Sequence, residues 1–278
     1  MRATIPRIYD IQLKQYGPRG WWPTTLPGEE GPSYHGRPPD DARRFEIIVG
    51  TILTQNTSWK NAAKAIRALL VAGALEAEKI RRMPKNRLAR LIRSSGYYNQ
   101  KAERLKLAAG YFAGNFRRFR GKEEAGETGR LREELLALKG IGPETADSIL
   151  LYAFQKPVFV VDAYTRRIFH RLGLCGEKAA YGELQELFHQ ALPPDHRLYN
   201  EYHALIVEHA KRHCAKNPLC PSCPLLRLCP GRGDGVKLLN LTIGHRPSVP
   251  SLCPVPLSRP SVPSLCPVPL SRPSVPVS

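Results

Sequence analysis

The chain has 278 residues, 42% of them hydrophobic, which suits a globular protein of one or two domains with a proper core. No run of about 18 or more apolar residues occurs and the stretch MRATIPRIYDIQLK lacks a signal-peptide apolar core, so a soluble, cytoplasmic protein without a membrane partner is expected. The 42 Lys and Arg outnumber the 24 Asp and Glu for a formal charge of +18, spread through the expected helices, which favours a polyanionic partner, most often nucleic acid.

Residues 1–40 are rich in Pro and Gly and read as an irregular, packed segment. Within it Trp21 and Trp22 are too costly to leave in water, so they fill either a core gap or a pocket. Asp41 can cap a helix in which Phe45, Ile48, Val49, Ile52 and Leu53 recur at helical spacing. That helix ends in TQNTSW, where Thr57 or Ser58 can cap the next, through Leu70. Further helices are expected over 76–82, 84–95 and 99–115, with a polar loop over 121–129.

Arg130 to Leu138 reads as a short amphipathic helix, Gly140 and Gly142 as turn residues, and Pro143 as the first residue of another helix. Two helices joined by KGIG make a helix-hairpin-helix. Its loop N–H groups and the following helix start suit a DNA phosphate, so Lys139, Gly140, Ile141, Gly142 and Thr145 are the expected DNA-binding residues. PVFVV is the only good strand signal, and five residues make no sheet. It delivers Asp162 to the start of a helix over 163–172, an acid well suited to cap that helix. Helical patterns follow over 180–192 and 196–213, and the fold class is therefore all-α.

Four of the seven Cys lie at 214, 220, 223 and 229, spaced C-x5-C-x2-C-x5-C. Such crowding in an expected intracellular chain points to a metal or cluster site, and four thiolates serve zinc or a [4Fe-4S] cluster. From 246 onward a 13-residue repeat, RPSVPSLCPVPLS, occurs at 246–258 and 259–271 and begins again at 272. Its Pro content bars helix and central strand, and a disordered extension is expected. It adds three Arg and no acid, so the body alone still carries +15.

Hairpin, spacing and acid together resemble the helix-hairpin-helix, Gly/Pro-rich, Asp motif of the endonuclease III superfamily of DNA glycosylases. WWP at 21–23, ILTQNTSW at 52–59, SGYYNQKAERL at 95–105, KGIGPETADSIL at 139–150 and VVDAY at 160–164 are most similar to its 3-methyladenine DNA glycosylase branch. The resemblance implies two helical domains with the active site between them: segment 1–56, a hairpin-bearing domain 57–156, and segment 157–213 completing the first domain. A cysteine loop at 214–230 and a linker with repeats at 231–278 would follow.

The same resemblance implies that Asp162 is catalytic, that Trp21, Trp22 and Trp59 line a base pocket, that Gln55 stands near the gap left by the extruded nucleotide, and that Lys211 matches a pocket Lys. A second pocket Lys of the branch is replaced by Leu205. The cysteine loop resembles the C-terminal [4Fe-4S] loop of endonuclease III, with a first interval one residue shorter, and implies a structural cluster whose loop meets DNA through residues such as Lys216 and Arg227. Bifunctional members carry an amine nucleophile where this chain has Glu144, and a carboxylate cannot form a Schiff base. Without the family context Glu144 is a favourable acid in a helix first turn, and Lys139 a phosphate contact.

The expected activity is hydrolytic removal of a damaged base, an alkylated purine such as 3-methyladenine, from double-stranded DNA by a monomer, with lyase activity weak or absent. The competing readings are a mismatch adenine-type glycosylase, a bifunctional glycosylase/lyase and a non-catalytic DNA-binding protein.

Overall fold

Caps and apolar spacing decide where the helices begin, and the ends they define are mostly those expected. The computed structural model describes residues 4–36, 38, 40–120 and 126–231. The repeat tail, its linker from residue 232 and most of the expected loop at 121–129 lie outside the described residues.

The first helix, α1 (Thr4–Tyr16), falls inside the segment read as irregular. It buries Ile5, Ile8 and Gln12 on one face, and the amide of Gln12 interrupts the apolar stripe that would have revealed it. After it the chain forms only a two-residue antiparallel pair, β1 (Pro23–Thr24) with β2 (Ser33–Tyr34). Helix α2 (Asp41–Leu53) is capped by Asp40, not Asp41: the Asp40 carboxylate accepts from the Arg43 N–H at 2.9 Å, and Asp41 already lies in the first turn. Ser58 caps α3 (Trp59–Val71) as one of the two expected candidates.

Helix α4 spans Ala77–Arg82. The pattern over 84–95 resolves into α5 (Lys85–Leu91) and a 3₁₀ turn, Arg93–Ser95, stopped by Gly96 at φ +66°. Helix α6 (Tyr98–Arg120) runs five residues past its expected end. Helices α7 (Glu127–Leu136) and α8 (Pro143–Ser148) flank the hairpin, and α8 continues into a π turn, Ile149–Ala153. Helices α9 (Ala163–Arg171), α10 (Tyr181–Ala191) and α11 (His196–Arg212) complete an all-α body.

PVFVV is extended but pairs with no strand. Instead the side chains of α10 satisfy its backbone: the Phe159 N–H donates to His189 Nε2 at 3.0 Å, Gln185 Nε2 donates to the Phe159 carbonyl at 2.7 Å, and the Val161 N–H donates to the Tyr181 hydroxyl at 3.3 Å. A buried segment must place its backbone polar groups somewhere, and here α10 takes the part of the missing strand.

Helix α2 crosses the core, burying every residue from Phe45 to Leu53 against α3, α6, α8 and the π turn, while α1 lies on α10 and α11. Asp147 of α8 ties three helices together. Its side chain is fully buried and accepts from Arg132 of α7 at 2.6 and 3.1 Å, from the Tyr181 hydroxyl at 2.7 Å and from Gln185 at 2.7 Å. Removing the carboxylate leaves the Arg132 charge and two α10 donors without their partner. Asp147→Ala is therefore expected to lower unfolding stability by about 3 kcal/mol, read from urea denaturation midpoints at constant m-value.

Candidate active site

A cavity of about 250 Å³ opens between the N-terminal loop, α3, α8 and α11. Trp21, Trp22 and Trp59 wall one side, and Glu144, Asp162 and Lys211 line it as well. Its volume falls just under the usual ligand-pocket range of about 300–1,000 Å³, enough for one flat ring system. Trp22 meets Trp59 edge to face at 5.6 Å and Tyr152 at 5.0 Å. These are attractive aromatic geometries that hold the wall rigid.

The loop carrying the tryptophans has almost no regular structure, so side chains anchor it. The buried Glu46 carboxylate accepts from the Thr25 N–H at 3.0 Å and its hydroxyl at 2.6 Å, while Arg43 Nε donates to the Thr25 carbonyl at 2.7 Å. Burial pushes the Glu46 carboxyl above its ordinary range even though the Thr25 bonds oppose the shift. Asn200 of α11 donates to the Trp21 carbonyl at 2.9 Å. Gly50 leaves room for the indole: a Cβ there would stand 3.1 Å from Trp22 Nε1.

Asp162 caps α9 and also lines the cavity, so the two readings of this acid describe one geometry. Oδ1 accepts from the Thr165 N–H at 2.7 Å and the Thr165 hydroxyl at 2.8 Å, while Oδ2 lies 3.6 Å from His203 Nε2. Burial opposes ionisation, but His203 and the Thr165 bonds outweigh it and hold the carboxyl below its ordinary value. Glu144 moves the opposite way: crowding by protein raises it first, and the charge of Asp162 adds to that. Its side chain is nonetheless open to cavity water, which tempers the shift.

Two residues of this constellation were not singled out in the sequence, Tyr152 and His203. Tyr152 sits in the π turn, fully enclosed, with its hydroxyl 2.5 Å from His203 Nδ1. The available signal was helical phase. His203, Val207 and Lys211 recur at i, i+4 and i+8 and all three face the cavity. Leu205 lies off that face and is fully buried, so it replaces nothing in the cavity wall.

On the hairpin side a second cleft shares Glu144, Asp162 and Tyr164 with the cavity, and Gln55 lines this cleft in place of the tryptophan cavity. Gln55 donates to the Gly140 carbonyl at 3.1 Å and the Thr145 hydroxyl at 3.0 Å, and accepts from Arg104 at 2.5 Å. Thr145 is buried, and Ile141 packs its side chain into the core, so neither side chain is free to face a partner. Lys139 is 80% exposed and pairs with Glu103 at 2.9 Å. Of the two hairpin glycines only Gly140 has a positive φ, +86°, whereas Gly142 is ordinary extended backbone at φ −95°.

Cys214, Cys220, Cys223 and Cys229 line one cavity with Ile168 and Leu172. Arg171 reaches over it, donating to Cys214 Sγ at 3.3 Å and to the Ala215 and Lys216 carbonyls at 2.7 and 3.0 Å. The Cys223 thiol is pushed up to about 11 by burial first and then by the other three cysteines. Among the described residues no three His, Cys, Asp or Glu side chains are arranged to grip a metal ion. The donor set and shared cavity fit a thiolate-bound group, and the residues that would hold it are these four.

An all-α body, a glycine hairpin and a capped carboxylate in an aromatic cavity of base size define a helix-hairpin-helix protein with a built ligand site. Residues 49–194 match the HhH-GPD superfamily base excision DNA repair protein family, and the chain belongs to that superfamily. It is 45% identical over 229 residues to a Methanocaldococcus jannaschii protein assigned as a DNA repair glycosylase, covering 81% of this chain and 95% of that one. It is 33% identical over 186 residues to endonuclease III of Thermotoga maritima, covering 66% and 82%. Among solved structures it resembles H. pylori 3-methyladenine DNA glycosylase bound to 1,N6-ethenoadenine, at a TM-score of 0.55 and 30% identity over 76% of this chain and 97% of that one. A trapped endonuclease III–DNA covalent intermediate shares the fold at a TM-score of 0.65 and 23% identity, covering 83% and 96%.

Gly140 tests how far the hairpin geometry depends on a missing side chain. A Cβ there would collide with the Arg104 side chain, with Cδ at 2.6 Å, besides forcing a left-handed residue. Gly140→Ala is expected to cost about 1–2 kcal/mol in thermal or urea unfolding, with part of that loss absent in an Arg104→Ala background.

Proposed function

We propose that this protein is a monofunctional DNA glycosylase that hydrolyses the N-glycosidic bond of a damaged base flipped out of double-stranded DNA, the base being an alkylated purine such as 3-methyladenine. The observation that carries this reading is the Asp162 carboxyl in a cavity walled by three tryptophans, with Glu144 and no amine at the start of α8. The extruded base would stack among Trp21, Trp22 and Trp59, each stack contributing about 1–3 kcal/mol and more when the base is cationic. As the base leaves with the bonding electron pair, positive charge develops on the sugar, and Asp162 stabilises it. Water then adds to the sugar carbon, and Asp162 takes or directs the proton. A cationic alkylpurine needs no proton to depart.

Glu144 supports a second, wider substrate reading. A neutral leaving base, such as ethenoadenine or hypoxanthine, would need a proton donor, and the Glu144 carboxyl, whose pKa burial and the Asp162 charge raise, is the acid in the cavity wall placed to serve. The hairpin loop and Lys139 would dock a DNA phosphate. The four cysteines would hold a [4Fe-4S] cluster, or zinc in the alternative, which when bound supplies a cross-link for the loop and no chemistry at the base.

Duplexes carrying one lesion each test the activity. Wild-type protein is expected to release an alkylpurine and leave an alkali-sensitive abasic site, with Asp162→Asn slower by about 10²-fold or more. Release at an equal rate by Asp162→Asn defeats the proposal, and a borohydride-trapped enzyme–DNA adduct defeats its monofunctional part. For the cysteine loop, iron, sulfide and zinc analysis of the purified protein discriminates the two occupants. Cys223→Ser is expected to lose the bound metal and lower the thermal midpoint.

A further inference from the structure

The two oxygens of Asp162 have different surroundings. Oδ1 is consumed by Thr165 of α9, which donates both its N–H and its hydroxyl. Oδ2 is left to the cavity and to His203 of α11, whose Nε2 stands 3.6 Å away. His203 is 5% exposed, and its Nε2 is a buried polar atom with no hydrogen-bond partner. A buried donor left unmade costs about 1–3 kcal/mol, so a ring held in this way calls for a reason. Its edge-to-face contact with Trp21 at 6.0 Å explains the packing of the ring but not the direction of its nitrogen.

The other ring nitrogen supplies the direction. Nδ1 is 2.5 Å from the Tyr152 hydroxyl. Tyr152 is wholly enclosed, and burial first, then the charges of Asp162 and Glu144, push its phenol well above the ordinary value. It therefore keeps its proton and donates to Nδ1, which leaves the ring proton on Nε2, aimed at Oδ2. At 3.6 Å the last contact is a long one, of the kind that tightens when a site fills. The groups coupled to Asp162 are thus Thr165, His203, Tyr152 and Glu144, from α9, α11, the π turn and α8, and Tyr164 and Lys211 line the same cavity.

We propose that His203, fixed in its tautomer by Tyr152, is the positioning residue of the hydrolysis, holding Asp162 Oδ2 toward the reacting sugar. The assignment rests on the reading of Asp162 as the hydrolytic carboxylate. His203 touches neither sugar nor base in it and acts through Asp162 alone.

The test uses the full chain and a methylated duplex, following base release in single turnovers across pH. Because His203 lowers the Asp162 pKa, its loss raises that pKa, and the acid limb of the rate profile must move to higher pH. His203→Phe keeps the ring against Trp21 but has no N–H. It is expected to slow release about tenfold or more at neutral pH, to shift the acid limb up by about one pH unit or more, and to leave duplex affinity within about twofold. His203→Gln, which can still donate to Oδ2, should recover part of the rate and bring the limb part of the way back. Tyr152→Phe should show a smaller loss in the same direction.

An acid limb unmoved in His203→Phe overturns the assignment, as does a rate loss that merely tracks the fraction of folded protein. Wild-type protein that releases no base from any lesion overturns the glycosylase reading itself. An active wild type with an unmoved limb overturns only the role of His203.

Discussion

The bond from the Thr165 N–H to Asp162 is the constraint on which the site depends. A helix start needs an acceptor for its free N–H groups, and an acid placed there is held in one rotamer by the backbone it serves, a cap worth about 1 kcal/mol. The cap therefore fixes the carboxylate in space before any substrate arrives. One oxygen is spent on the helix and the other is presented to the cavity. What brings Asp162 to that point is PVFVV, a buried segment with no strand partner, whose backbone is satisfied by His189, Gln185 and Tyr181 of α10. Tyr181 in turn donates to Asp147, so the acid of the cavity and the buried acid of α8 belong to one hydrogen-bonded framework.

Two carboxyls beside one cavity would ordinarily compete for the same state of ionisation. Here the surroundings separate them. Thr165 and His203 stabilise the charged form of Asp162, whereas Glu144 has no such donor and feels both burial and the charge of its neighbour. Pairs pushed apart in this way divide the work of acid and base between them. At the position of Glu144 the chain carries a carboxyl and no amine, and the surroundings hold the two acids of the cavity unequal.

The helices were legible in the sequence because their apolar residues recur at one face and their ends carry Asp, Ser, Pro or Gly. The exceptions have particular causes. Helix α1 was hidden by the buried Gln12, α2 begins one cap earlier because Asp40 and Asp41 are adjacent candidates, and PVFVV carries a strand composition because total burial favours the same residues as a sheet does. The same limit applies to the site. Asp162, Glu144 and the tryptophans could be found from motif and spacing, whereas Tyr152 lies in a π turn that no propensity marks and His203 carries only its helical phase with Val207 and Lys211. Their 2.5 Å contact in three dimensions is what joins the two.

The hairpin and the cavity are joined by side chains instead of by a shared helix. Gln55 stands just past the end of α2, bridges the Gly140 carbonyl and the Thr145 hydroxyl, and is itself held by Arg104 of α6. Its near neighbours Thr54 and Thr57 line the cavity. The hairpin loop and the cavity are therefore registered through a few directional bonds whose geometry tolerates little drift. A Gly at 140 is part of that registration, since the space a Cβ would need is filled by the Arg104 stem that holds Gln55. The glycine thus serves the cavity as much as it serves the turn.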